Sequence, residues 1–284
     1  MPQFSRIAVI GVGVLGSQIA YHTAFKGYDV VAYDVDDDAV DRANTRLGRL
    51  TERYEQEVAG AGTGARDAMH RIQLTSDVAQ AVASADLVIE AAPERLGVKR
   101  RLFSVLGEAA PPHTVFATNT STIPPSALAD STGRPDRFLA LHFSNLVWRH
   151  NIAEVMGTPR TAPDVYASVV EFATSIGMVP IELKKEKPGY VLNSFLVPLL
   201  RAAGELLTDD VADPAAVDDV WRIGTGAPYG PFEMLDIVGL TTAHHIASHG
   251  DVKQREFAKI IKERYLDKGW TGVEAGQGFH GYPR

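Results

Sequence analysis

Short apolar runs rich in β-branched residues alternate with longer amphipathic stretches along the first two thirds of the chain, and then the alternation stops. Residues 7–10 read as a buried strand, 14–26 as a helix that Gly27 ends, and 30–33 as a second strand closing on Asp34. A charged helical stretch follows over about 38–58, and 59–65 is a glycine-rich loop between two helices. Further strands are predicted at 87–90, 115–118, 138–141, 154–156 and 179–182. Strand–helix alternation at this spacing predicts an α/β fold, a largely parallel sheet covered by helices on both faces. Beyond Pro188 the patterns at 190–207, 214–222, 231–249 and 252–267 are all helical. The charged run Lys184-Lys185-Glu186-Lys187, broken by Pro188-Gly189, therefore divides a sheet domain (1–187) from an all-α C-terminal domain (188–284).

Composition narrows the function classes. Of 284 residues 45% are hydrophobic and 22% charged, so the chain can build packed cores and is not disordered. A net charge of -7 argues against a general nucleic-acid or anionic-membrane surface. With no cysteine, thiolate nucleophiles and cysteine-ligated metal centres are excluded. The apolar run at 7–10 is too short for a secretory core, and no stretch approaches the roughly 20 apolar residues of a membrane span. The expectation is a soluble, cytoplasmic protein with a small-molecule substrate.

Gly11-Val12-Gly13-Val14-Leu15-Gly16 has G-x-G-x-x-G spacing between the first strand and the first helix. Such a loop turns tightly at its first glycine, lets a pyrophosphate approach the second, and packs helix on strand at the third. The helix N-terminus then receives the anion. Asp34 ends the next strand 18 residues beyond Gly16, where a carboxylate accepts the adenosine ribose hydroxyls and repels a 2′-phosphate. The combination predicts a Rossmann-like domain binding NAD rather than NADP.

His142 follows the predicted strand at 138–141, near the strand end where open parallel sheets bind ligands. Glu154 lies twelve residues on, in the next strand-like run. If the two strands are neighbours, the carboxylate holds one ring nitrogen and stabilises the imidazolium formed when the other takes a proton. Alcohol oxidation coupled to hydride transfer needs such a base. On chemistry alone, a histidine merely satisfied in a core explains His142 equally well. His245 and His249 have i, i+4 spacing but no third ligand nearby, so no metal is expected.

Six segments in order, spanning nearly the whole chain, carry a resemblance. They are the loop 11–16, Leu87-Val88-Ile89-Glu90-Ala91, Ala117-Thr118-Asn119-Thr120-Ser121, His142-Phe143-Ser144-Asn145, Pro188-Gly189-Tyr190-Val191-Leu192-Asn193 and Gly230-Pro231-Phe232-Glu233. Together they resemble the short-chain 3-hydroxyacyl-CoA dehydrogenase family, while Ala117-Thr118-Asn119-Thr120-Ser121-Thr122, Glu154-Val155-Met156-Gly157-Thr158 and Trp221-Arg222-Ile223-Gly224-Thr225-Gly226-Ala227-Pro228 look like its diketoreductase branch, which reduces 3,5-dioxo esters. The resemblance implies an NAD-dependent oxidoreductase interconverting 3-hydroxyacyl and 3-oxoacyl compounds, with His142 as general acid/base oriented by Glu154. It implies that Ser121 hydrogen-bonds the reacting oxygen, that Asn193 and Asn145 position the substrate, and that Glu94, Lys99 and Asn119 contact the ribose or nicotinamide side of NAD. Taken without it, Ser121 and Asn193 read as turn and cap residues, and Lys99 as a solvated helix lysine. A homodimer through the C-terminal helices is also implied. Pro93-Glu94 and Pro125-Ser126-Ala127-Leu128 echo the gulonate 3-dehydrogenase and λ-crystallin branch, an NAD-binding alternative with a different substrate or none.

Departures from the family pattern concern the substrate. After His142 both usual prolines are lost, and Trp148 brings an indole that is expected beside the site. No lysine occurs between residues 27 and 98, where CoA-using members carry them, although Arg42, Arg46, Arg49, Arg53 and Arg66 are present. Near the C-terminus Gly272-Val273-Glu274-Ala275-Gly276 stands where the family has Gly-Lys-Lys-Thr-Gly.

Overall fold

A computed structural model describes residues 4–282. The chain forms two compact units, 1–191 and 192–284. The first contains β1 (Arg6–Ile10), α1 (Val14–Phe25), β2 (Asp29–Tyr33), α2 (Asp37–Glu57), α3 (Gly64–His70), β3 (Ile72–Thr75), α4 (Val78–Val82) and β4 (Leu87–Glu90). It continues through α5 (Leu96–Ala109), β5 (Val115–Thr118), α6 (Ser126–Ala129), β6 (Phe138–Phe143), β7 (Ile152–Gly157), α7 (Pro163–Ser175) and β8 (Val179–Leu183). The eight strands make one sheet in the order β3-β2-β1-β4-β5-β6-β7-β8. Neighbours are parallel throughout except β6 and β7, which run antiparallel.

Central strands β1, β4 and β5 are apolar runs because helices cover both faces. One core joins β1, β2 and the β6–β7 pair to α1, α2 and α7; a second lies on the opposite face around Phe103, Phe116 and Phe138. Strand order reverses between β1 and β4, and that switch point opens the crevice where doubly wound sheets take their ligands.

The second unit is helical: α8 (Leu192–Thr208), α9 (Pro214–Thr225), α10 (Pro231–Val238), α11 (Leu240–Ser248) and α12 (Val252–Arg264). Its core gathers Phe232, Leu235, Phe257 and Ile261. Asp218, fully buried, accepts the Phe232 and Glu233 amides at the start of α10 at 2.8 and 3.0 Å. Asp236 accepts the Phe279 and His280 amides and so fastens the C-terminal segment.

Three expectations need correction. The strand β3 escapes the sequence pattern, because it is a four-residue edge strand with only two apolar residues. The stretch at 231–249 is two helices, since Gly239 takes φ +92 and interrupts the ladder. The last predicted helix ends at Arg264 rather than 267, and a short 3-10 turn follows at Leu266–Lys268. Among the described residues, no helix is long and apolar enough to cross a membrane.

Candidate active site

The glycine loop is built by backbone approach. Gly11 has φ +92, and a Cβ there would lie 2.9 Å from the Ala91 carbonyl carbon at the end of β4. A Cβ on Gly16 would sit 1.8 Å from the Gly11 carbonyl oxygen, so helix α1 packs against the turn only because that position is bare. Gly13 differs: a Cβ there meets nothing within 4 Å, and the residue is exposed. Val14 is exposed as well, Leu15 turns partly into the core, and no side chain caps α1. An uncapped helix N-terminus facing open space over Gly13 is a cradle for a phosphate group. Asp34 fixes the loop from the side, accepting the Val12 amide at 3.1 Å and its own neighbour Val35 at 2.8 Å. Arg46 donates to the Val12 carbonyl at 3.2 Å. Both sides of the Val12 peptide are thereby held, and the residues present fit a dinucleotide.

Past β4 a buried charge network sets the next loop. Glu90, fully buried, accepts the Lys99 ammonium at 2.5 Å, the Thr118 hydroxyl at 2.6 Å and the Ala92 amide at 2.7 Å. Burial raises the Glu90 carboxyl, against the pull of these donors. Lys99 is 1% exposed and also lies 3.4 Å from Glu94, so the solvated-lysine reading fails. Its surroundings compensate its charge, as a buried ammonium requires. Glu94 in turn accepts the Thr120 hydroxyl at 2.5 Å, the Ser121 amide at 3.0 Å and the Thr122 amide and hydroxyl at 2.8 Å. Burial pushes the Glu94 carboxyl up, but the Thr120 hydroxyl, Lys99 and Thr122 more than offset it and leave it below the usual range. The carboxylate thus shapes the loop that carries Ser121. Asn119 accepts the Phe143 amide at 2.8 Å and joins this loop to β6.

On the β6–β7 ladder His142 and Glu154 are register partners, and side chains directly opposite in antiparallel strands share one face. Glu154 Oε2 lies 2.9 Å from His142 Nδ1, with the two residues 1% and 5% exposed. The carboxylate selects the tautomer with hydrogen on Nδ1, which leaves Nε2 bare. Nε2 stands 3.2 Å from Ser121 Oγ, whose hydroxyl can donate to it. The Tyr190 ring lies against the imidazole with centroids 4.4 Å apart and planes 12° from parallel. Sequence reasoning missed Tyr190, because it opens the helical pattern at 190–207, which gives no sign of the stack.

Ser121, His142 and Glu154 therefore form one cluster. Asn145 is exposed in the loop after β6, and Asn193 stands in the first turn of α8, in the second unit. Trp148 is not in the cluster: its ring packs 5.2 Å from that of Tyr54, and its N–H donates to Glu57 at 2.6 Å, both on α2. Gln18 and Glu57, also missed, hold the 144–150 loop. Gln18 accepts the Leu146 amide at 2.7 Å, and Glu57 takes the Arg149 guanidinium at 2.9 Å. Among the described residues no group of three or more metal-ligating side chains gathers. The side chain of Glu274 lies outside the described residues.

Comparison with known proteins agrees with this geometry. Residues 6–186 match the NAD binding domain of 3-hydroxyacyl-CoA dehydrogenase, and residues 189–282 match its C-terminal domain. A probable 3-hydroxybutyryl-CoA dehydrogenase of Bacillus subtilis is 32% identical over 99% of this chain and 98% of its own. The mitochondrial hydroxyacyl-coenzyme A dehydrogenase of Sus scrofa is 34% identical over 97% of this chain and 90% of its own. A solved diketoreductase, studied for dual catalysis of dicarbonyl compounds, superposes with a TM-score of 0.94. It is 59% identical and covers 99% of this chain and 100% of its own. An NAD-binding sheet, a helical second unit and these matches over both lead to one conclusion: the chain belongs to the 3-hydroxyacyl-CoA dehydrogenase family and is an NAD-dependent oxidoreductase.

Proposed function

We propose that the chain transfers a hydride between nicotinamide and the 3-position of a 3-hydroxy or 3-oxo acyl compound, with His142 as general acid/base and Glu154 as its orienting carboxylate. The observation that carries this reading is the pair of contacts on one ring: a carboxylate 2.9 Å from Nδ1 and a hydroxyl 3.2 Å from Nε2. Bound NAD supplies the hydride acceptor. In the oxidising direction His142 Nε2 takes the substrate hydroxyl proton, and Glu154 stabilises the imidazolium so formed. In the reducing direction the same imidazolium returns the proton to the carbonyl oxygen. Ser121 Oγ donates a hydrogen bond to that oxygen as its negative charge grows. Asp34 and the exposed backbone at Gly13–Val14 take the adenosine ribose and the pyrophosphate, and Asn145 faces the substrate. Glu94, Lys99 and Asn119 serve the nicotinamide side by fixing the 119–122 loop.

The acyl handle is a simple ester as readily as a CoA thioester. Three of the arginines that replace the missing lysines are engaged: Arg46 with the Val12 carbonyl, Arg53 with Glu57 at 3.1 Å and Arg66 with Glu55 at 2.8 Å. These partners weigh toward an acyl handle that does not depend on a phosphate contact there. NADH oxidation measured with acetoacetyl-CoA and with an acetoacetate ester tests both parts. His142→Gln is expected to lower turnover by roughly 10²–10⁴-fold while NADH still binds. Unchanged turnover removes His142 from its role, and a preference for the thioester of about 100-fold in kcat/KM, or ~2.7 kcal/mol, overturns the ester reading.

A further inference from the structure

Three consecutive residues touch every member of the proton-handling cluster. The Gly189 amide donates to the Ser121 carbonyl at 2.9 Å. The Tyr190 ring stacks on His142. The Val191 amide donates to Glu154 Oε1 at 2.8 Å, which leaves Oε2 for His142 Nδ1 and fixes the rotation of the carboxylate. The backbone is unusual at this point. Gly189 has φ +82 and Tyr190 φ +52, so a bulky aromatic residue occupies the left-handed region that a Cβ disfavours. Residues of that kind persist only where their surroundings over-determine them, and they cluster at working sites.

The sheet explains why the ring arrives where it does. Ala140 and Met156 are opposite one another on β6 and β7, two residues from His142 and Glu154, and therefore on the same face. Tyr190 packs with Ala140 and Met156 and is 1% exposed, so its ring lies along the ladder and ends over the imidazole. A parallel aromatic face at this distance favours the protonated ring and keeps it from rotating away from Ser121. Burial, with Glu94, Glu154 and Glu90 nearby, pushes the Tyr190 phenol up, so it stays neutral beside these carboxylates.

We propose that Tyr190 is a positioning residue: its ring, held in place by the left-handed turn at 189–190, fixes the plane of the His142 imidazole. This rests on the reading of His142 as acid/base. Tyr190→Phe, Tyr190→Leu and Tyr190→Gly in the full chain, with His142→Gln alongside, test it through kcat, KM, NADH affinity and thermal unfolding. Phe keeps the ring and is expected to hold kcat within about threefold, while Leu and Gly lower it roughly 10–100-fold. NADH affinity stays within about twofold in all three, because the dinucleotide loop is untouched. Glycine suits the left-handed backbone, so a loss in Tyr190→Gly belongs to the missing ring and not to strain. Wild-type kcat in a folded Leu or Gly variant overturns the proposal, as does a fall in Phe as deep as in Leu. If His142→Gln itself turns over normally, the acid/base reading fails first; if it fails to turn over while Leu and Gly do not suffer, only the role of Tyr190 is lost.

Discussion

His22 and His142 are equally buried, each 5% exposed, and each has a partner on both ring nitrogens, yet the partners differ in charge. His22, on α1, lies 2.8 Å from the Tyr54 hydroxyl and 2.8 Å from the Ile176 carbonyl oxygen. The carbonyl requires hydrogen on Nε2, so the tyrosine must donate to Nδ1. Neither partner is an anion, and burial pulls the His22 pKa down to about 4. This histidine ties α1 to α2 and to the end of α7 as a neutral bracket. His142 has a carboxylate on one nitrogen and a hydroxyl on the other. On the proposed reading of His142, burial and hydrogen bonding alone would not make an acid/base; the charge of the orienting partner would.

That contrast can be broken from the active side most strongly. Glu154→Gln keeps the size of the side chain, but it offers one acceptor where the carboxylate uses two and makes the surroundings of His142 as neutral as those of His22. Turnover in the NADH assay should fall by about 10³-fold, or ~4 kcal/mol, more than the roughly 1–3 kcal/mol that one lost buried acceptor costs in thermal stability. A variant within a few-fold of wild type would show that the charge is irrelevant.

The next effect lies on the structural side. His22 is neutral in the folded chain down to about pH 4 but titrates near 6.5 when unfolded. The unfolded state therefore binds the proton first, and the stability the bracket contributes is present above pH 6.5 and lost as pH falls toward 4. The loss is about 3 kcal/mol over that window. Urea unfolding at pH 7 and pH 4.5 should show a steep fall for wild type and a shallower one for His22→Gln; parallel curves would contradict it. The smallest effect sharpens the same point. Tyr54→Phe removes the donor to His22 Nδ1 and should cost about 1 kcal/mol in unfolding experiments, with kcat unaltered.

Much of the fold and of the candidate site's layout was readable beforehand because it is encoded in strand-length patterns. The glycine spacing, the acidic end of β2 and the His142–Glu154 separation are local, and each strand they require is an apolar run. What escaped depends on which side chains the fold turns toward one another. Lys99 resembles any helix lysine until β4 delivers Glu90 nine residues away in the interior. Trp148 lies close to His142 in sequence, but the loop turns its indole toward α2, where Glu57 accepts its N–H. Tyr190 falls at the start of a helical pattern, and nothing in that pattern announces a left-handed turn or a ring laid along a neighbouring ladder. Gly239 was visible, but an interior glycine in an apolar helix pattern does not by itself say whether the helix bends or ends.

Pairing His142 with Glu154 across one rung has a consequence for how such enzymes diversify. Because the rung is held by the strands, the eight residues between Phe143 and Ile152 carry no share of the pairing. They can be lengthened, shortened or re-anchored, as the Trp148 attachment to α2 illustrates, while the His142–Glu154 contact stays in place. Selection can therefore vary this loop without disturbing the pair that the strands hold together.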